Sequence, residues 1–207
     1  MAQYFEIHPE HPQPRLIRQA AQILREGGLI AVPTECAYAL VGLTGDADVL
    51  DRIRKIRGVG ERHHFTLMCR DLSEIATYAR VDNVQYRLLK ATTPGPYTFI
   101  LEATKELPRR VLHPKRKTIG LRVPEHPVVS ALLAELGEPL LTSTLMLPDE
   151  DVPLTEADDI RARLEKQLDL VIEAGACGLE ATTVVDLSSG EPELLREGKG
   201  PLAPLGL

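Results

Sequence analysis

Apolar residues in this chain recur in two rhythms, one helical and one short and continuous, and Gly, Pro and Asp mark where they change. Over residues 15–26, RLIRQAAQILRE, the residues Leu16, Ile17, Ala20, Ala21, Ile23 and Leu24 share one side at helical spacing, and Gly27-Gly28 supplies the stop. LIAVPT (29–34) is a continuous apolar run closed by Pro33, which predicts a buried strand ending in a loop. Asp46 is placed to cap a helix reaching Ile56, and FTLMC (65–69) reads as a second buried strand. Helical stretches follow at 71–79 and 82–91, the latter capped by Asp82. YTFILEA (97–103) and TIGLRV (118–123) read as strands, and Pro127 suits the first turn of the next helix.

Residues 139–147, PLLTSTLML, predict a buried strand that carries three hydroxyls, Thr142, Ser143 and Thr144. An acidic loop leads to a helix expected to start at Thr155, whose Thr-x-x-Asp pattern to Asp158 resembles a capping box. LDLVIEA, ATTVVDL and ELLRE close the chain as strands, and the tail GKGPLAPLGL holds too much Gly and Pro to form an element. Strands and helices alternate without repeats or a long linker. The expected fold is therefore a single α/β domain over 1–207, with a mixed, twisted sheet.

Composition narrows the class. At 207 residues, 43% hydrophobic and 26% charged, the chain suits one globular domain with a real core. No stretch approaches the eighteen or so apolar residues of a membrane span, and the start lacks a basic-then-apolar leader, so a soluble, cytoplasmic protein is expected. Cys36, Cys69 and Cys177 are odd in number and far apart, which predicts buried free thiols rather than disulfides or a zinc site. His63-His64 has no second ligand pair, so no metal site is expected.

The net charge of −6 hides its distribution. RIRKIRGVGERHH (52–64) holds five Lys/Arg against one acid, and KELPRRVLHPKRK (105–117) holds six against one. Such windows suit phosphates, or form a solvated loop surface. Polar groups at predicted strand and helix ends show the same bias: Thr34, Glu35, Lys55, Arg57, Thr98, Arg122, Thr142 to Thr144, Thr182, Thr183 and Arg196. Hydroxyls and cations with few carboxylates argue against paired-carboxylate hydrolysis. No nucleophile elbow, Walker loop or GxGxxG is present. The set favours binding an anion, although Arg122 alone could be half of an ion pair and Thr182-Thr183 plain strand formers.

Five motifs in order resemble those of the YrdC-like superfamily. VPTECAYAL resembles its PTET-x-YGL, Lys55-Ile56-Arg57 its K-x-R, PGPYTFIL its PGPLT strand, TIGLRVPEHP its T-x-G-x-RvP-x-HP, and ATTVVDL with LLREG its STVVD and LRxG ending. The match covers a core of about 12–200. HFTLMCRDLSE, KRKTIGLRVP and TLMLP look most like the YciO-like branch.

The resemblance implies a twisted open mixed sheet flanked by helices, with a concave positively charged face. It implies kinship with threonylcarbamoyl-AMP synthases, nucleotidyltransferases that use threonine, bicarbonate and ATP with Mg²⁺ in the threonylcarbamoyladenosine modification of tRNA. No tightly bound cofactor is implied. By position, Lys55, Arg57 and Arg122 would meet ATP phosphates or the carbamoyl group, with Thr144 as a hydroxyl donor beside them. Thr34 and Tyr38 would lie near the amino-acid end; Thr98, Thr142, Ser143 and Thr182 would line the pocket; Arg196 would close over the phosphate. Family members are also described as binding double-stranded RNA, so the alternative is an RNA- or tRNA-binding protein without catalysis, with Arg109, Arg110, Lys115, Arg116 and Lys117 as contacts.

Two departures stand out. Met146 occupies the position of the Asn in the synthases' Ser-x-Asn, and a thioether has no N–H and suits a hard Mg²⁺ poorly. Gly58 replaces the usual proline after the K-x-R, and GVGERHH lengthens that connection.

Overall fold

In the computed structural model, which describes residues 1–207, ten strands form one open mixed sheet in the order β1-β8-β2-β3-β7-β4-β6-β5-β9-β10. The strands are β1 (Gln3–Glu6), β2 (Ile30–Val32), β3 (Ala39–Leu43), β4 (Thr66–Met68), β5 (Tyr97–Glu102), β6 (Thr118–Arg122), β7 (Leu140–Thr144), β8 (Leu170–Glu173), β9 (Thr183–Asp186) and β10 (Glu193–Arg196). The helices are α1 (Pro14–Arg25), α2 (Ala47–Arg57), α3 (Leu72–Tyr78), α4 (Asn83–Thr92), α5 (Pro127–Leu136) and α6 (Ala157–Leu164). Pairings β1–β8, β8–β2, β4–β6 and β5–β9 are parallel and the remainder antiparallel. No helix is long and apolar enough to cross a membrane.

Local chemistry sets the element ends. The Asp46 side chain accepts from the Asp48 N–H, and Gly58 ends α2 at φ 64°, a left-handed position where a Cβ would also stand 2.7 Å from Pro148. Asp82 and Gln85 form a reciprocal capping box at α4. The box expected at Thr155 does not form: α6 begins at Ala157, and Glu156 caps it without a side-chain bond.

Two strands escape the sequence pattern. β3 lies in what reads as a loop after Pro33, and β1 is a four-residue edge strand ahead of the motif-bearing core. The tail contains a 3-10 turn, Ala203–Leu205, with Leu205 buried. It is held by the Tyr97 hydroxyl on the Pro201 carbonyl at 2.8 Å and by Thr183 Oγ1 on the Gly200 carbonyl at 2.7 Å. Cys36 and Cys69 are buried free thiols and Cys177 is half-buried.

Side chains alternate between the two sheet faces. On one face Ile30, Val32, Val41, Met68, Leu140 and Leu170 pack against α1 and α5. On the other, Leu40, Leu67, Phe99, Leu121, Leu141 and Val185 join the larger core with α2 and α6. Along β4, β6, β5 and β9 the first face changes character: Thr66, Gly120, Arg122 and Thr98, with Thr182 just ahead of β9, stand among the aliphatic Ile100 and Val184. This half becomes the floor of a cavity.

Candidate functional site

The cavity has a volume of about 400 Å³. It is floored by β4 to β7 and β9, and walled by the 34–39 segment, the 57–66 connection and β10. Of the residues expected from sequence, Thr34, Tyr38, Arg57, Thr98 and Arg122 line it, as do Thr142, Ser143, Thr144, Thr182 and Arg196. Lys55 does not: it is exposed on the last turn of α2, outside the lining. Residues two apart on a helix point in different directions, so Arg57 and Lys55 cannot face one cavity together. Arg62, His63, His64, Thr66 and Gly120 line it unanticipated. The doubled histidine was the one visible signal for part of that set.

Four arginines line the cavity; Arg62 is exposed, and the guanidinium groups of Arg57, Arg122 and Arg196 are each incompletely satisfied or desolvated. Arg122 Nη2 pairs with Glu35 Oε1, their side chains 9% and 12% exposed, while Arg122 Nε and Glu35 Oε2 have no partner. Arg57 Nη1 donates to the Met146 carbonyl at 3.0 Å and its Nε is buried without a partner. Arg196 donates through Nε and Nη2 to the Thr182 carbonyl, at 3.1 and 3.0 Å. Burial lowers the pKa of both Arg57 and Arg196, and Arg196 lowers that of Arg57 further.

The hydroxyls divide into two groups. Thr34 Oγ1 donates to the Ala37 carbonyl at 2.6 Å and accepts from the Cys36 and Ala37 N–H groups. The Tyr38 hydroxyl donates to the Ile172 carbonyl at 2.9 Å, and burial raises its pKa. Both hydroxyls hold the wall in place. Thr98 and Thr182 share one hydrogen bond of 2.8 Å on the floor. Thr142 Oγ1, in a residue only 4% exposed, has no partner.

Met146 meets the site through its backbone alone. The chain leaves the sheet after Thr144, the Met146 carbonyl accepts from Arg57, and the thioether is not part of the lining. The RNA-contact candidates also lie outside the cavity. Arg109 and Arg110 are exposed on a 3-10 turn, with Arg110 donating to the Gly45 carbonyl; Arg116 pairs with Asp186 at 3.3 Å; Lys115 and Lys117 are exposed. The two basic windows nevertheless meet, because His64 stacks on His113 with centroids 4.6 Å apart.

His63 lies beside Arg57, and its Nε2 is 3.2 Å from Ser143 Oγ. Burial, then the Arg57 charge, lowers its pKa to about 4. The folded value lies below the unfolded value near 6.5, so the unfolded chain takes the proton first. Stability is therefore expected to fall as the pH drops from about 6.5 towards 4. Chemical denaturation at about pH 7 and about pH 4.5 checks this, with His63→Gln flattening part of the slope.

The protein is a single-domain α/β fold with an open mixed sheet, one part of which carries clustered guanidinium and hydroxyl groups. The family model Sua5_yciO_yrdC, described as Telomere recombination, matches residues 22–198, and the chain belongs to this family. YciO of Escherichia coli (strain K12) is 52% identical over 204 residues, 99% of each chain, and its crystal structure matches with a TM-score of 0.95. A threonylcarbamoyl-AMP synthase of Halorhodospira halophila is 30% identical over 178 residues, 86% of this chain and 92% of that one. The crystal structure of P. abyssi Sua5 complexed with L-threonine is 25% identical with a TM-score of 0.89, covering 98% of this chain and 59% of that one.

Proposed function

We propose that the cavity binds ATP and supports transfer of its nucleotidyl group to the N-carboxylate of threonine, as a threonylcarbamoyl-AMP synthase does. The observation that carries this reading is the convergence of the Arg57, Arg122 and Arg196 side chains with Thr98, Thr142 and Thr182 on one cavity. Guanidinium forks and short hydroxyls, held there in a partly desolvated setting, suit a phosphate through charge-assisted bonds. Kinship with the H. halophila synthase and with the threonine-complexed Sua5 supports the choice of anion and amino acid.

Threonine and bicarbonate give the N-carboxylate, its oxygen attacks the α-phosphorus, and pyrophosphate leaves. The chain's part is to hold the phosphates in line and receive the departing charge on Arg57, Arg122 and Arg196. No three His, Cys, Asp or Glu side chains converge to hold a metal, and Glu35 is already paired with Arg122. A Mg²⁺ ion would be held chiefly by the triphosphate, as Mg²⁺ in nucleotide sites usually is.

Incubation with ATP, threonine, bicarbonate and Mg²⁺ is expected to yield the adenylate by mass spectrometry together with pyrophosphate; neither product with Mg²⁺ or Mn²⁺ refutes the synthase. Met146→Asn is expected to change the rate by less than about threefold, because the carbonyl that Arg57 uses remains and the side chain lies outside the lining. A rise of about tenfold or more would place the absent amide at the reacting groups.

A second reading, binding of duplex RNA without catalysis, has one observation in its favour. The His64–His113 stack joins the two basic windows into one neighbourhood beside the cavity. Duplex affinity that falls steeply with salt supports it, and salt-independent or absent binding argues against it.

A further inference from the structure

The fold brings together two side chains that adenylate formation leaves idle. Ser143 Oγ and His63 Nε2 are 3.2 Å apart, come from positions 80 residues apart, and both line the cavity that holds Arg57, Arg122 and Arg196. Resting on the reading of that cavity as an anion site, we propose that Ser143 and His63 are a nucleophile and its base, which hydrolyse carboxylic-phosphoric or carbamic-phosphoric anhydrides bound there.

The geometry supplies the first requirement of nucleophilic catalysis at a serine, a base beside the hydroxyl. The hydroxyl lies within reach of an imidazole nitrogen, and Ser143, at 6% exposed, is screened from bulk water except through the cavity. The His63 ring is held edge-on against Phe65, with centroids 5.1 Å apart at 87°. No carboxylate forms an ion pair or hydrogen bond with the ring, and burial beside Arg57 keeps it unprotonated at neutral pH, so with the proton on Nδ1 its Nε2 accepts from the serine hydroxyl. Burial is the larger cause of the ring's low basicity and the Arg57 charge the smaller; a phosphate seated on Arg57 would offset only the smaller one.

The steps balance without any further reagent than water. Ser143 Oγ attacks the carbonyl carbon as His63 Nε2 takes its proton. The bond from that carbon to the bridging oxygen breaks, and the electron pair leaves with the phosphate, which Arg57, Arg122 and Arg196 receive. His63 passes its proton to the departing phosphate and is again neutral. Water then attacks the acyl-serine, with His63 again accepting and returning a proton, and releases a carboxylate or carbamate and the free serine. The adenylate of the proposed synthase is itself such an anhydride. The pair would let the same cavity discharge an adenylate that is not passed on.

The probe is acetyl phosphate, with pyrophosphate binding by calorimetry as the control for the anion seat. The full chain is expected to release phosphate above the buffer rate. Ser143→Ala and His63→Gln should each reduce that release by about a hundredfold or more, the double variant falling little further. Pyrophosphate binding, read alongside in each variant, separates loss of the anion seat from loss of the hydrolytic step. Unchanged phosphate release in Ser143→Ala, or no release while pyrophosphate binds, overturns the hydrolase and leaves the anion site standing. Failure of the natural chain to bind pyrophosphate overturns both. If either variant does not fold, a fluorophosphonate applied to the natural chain decides the matter. Labelling at Ser143 that pyrophosphate blocks is expected, and no label at Ser143 overturns the assignment.

Discussion

Arg122→Ala unfolds more easily than the natural chain by about 3–5 kcal/mol and loses anion binding by roughly a hundredfold. The stability loss comes mainly from what remains: Glu35, its side chain 12% exposed, keeps its charge and loses the guanidinium that compensated it. The binding loss follows from removing a desolvated fork whose Nε has no partner within the chain. Urea denaturation and pyrophosphate calorimetry measure the two effects separately. Glu35→Gln in the Arg122→Ala background should recover much of the stability and none of the binding, since it removes the stranded charge without restoring a cation. Arg122→Lys should keep most of the fold and bind the anion about tenfold more weakly, because an ammonium cannot make the fork's parallel bonds. If Arg122→Ala binds pyrophosphate like the natural chain, the cavity is not the anion site.

Gly120→Val is the second substitution with a large expected effect. Gly120 lies on β6 in the cavity floor, and a Cβ there would stand 2.6 Å from Thr66 Oγ1 and 3.2 Å from both the Phe65 carbonyl and Thr98 Cγ2. Valine adds two more carbons where the ligand would rest. Overpacking of this kind costs about 1–3 kcal/mol of stability. ATP and pyrophosphate affinity should fall by about a hundredfold or more, with Gly120→Ala in between. Thermal unfolding read beside calorimetry distinguishes a blocked floor from a collapsed fold. Undiminished affinity in a folded Gly120→Val would mean that the ligand never reaches the floor.

The cavity was largely legible in the sequence because its parts sit at the ends of recognisable strands. Arg122 in TIGLRV and Thr142 in LLTST sit in buried strands whose alternation sets their direction, whereas Arg196 lies on an exposed edge strand. Lys55 was misplaced for a reason just as physical: the K-x-R spacing names two cations, and helical geometry lets one of them enter. Thr34 and Tyr38, expected near the amino-acid end, do line the cavity, but their hydroxyl bonds, to Ala37 and Ile172, depend on how a turn closes and on a strand 134 residues away.

By itself the sequence determined the helices with their stops, most of the strands, the class of fold, the family, and the excess of cations and hydroxyls over carboxylates around the site. Periodicity, capping and strand alternation are local rules, read within a few residues of the chain. The tertiary structure decided which of those groups meet. It paired Arg122 with Glu35, turned the Met146 carbonyl towards Arg57, left Arg57 Nε, Arg122 Nε and Thr142 Oγ1 without partners, and set His63 beside Ser143. Those contacts depend on strand order, which inserts β3 and β7 between β2 and β4, and local rules do not specify the neighbours that a long crossover delivers.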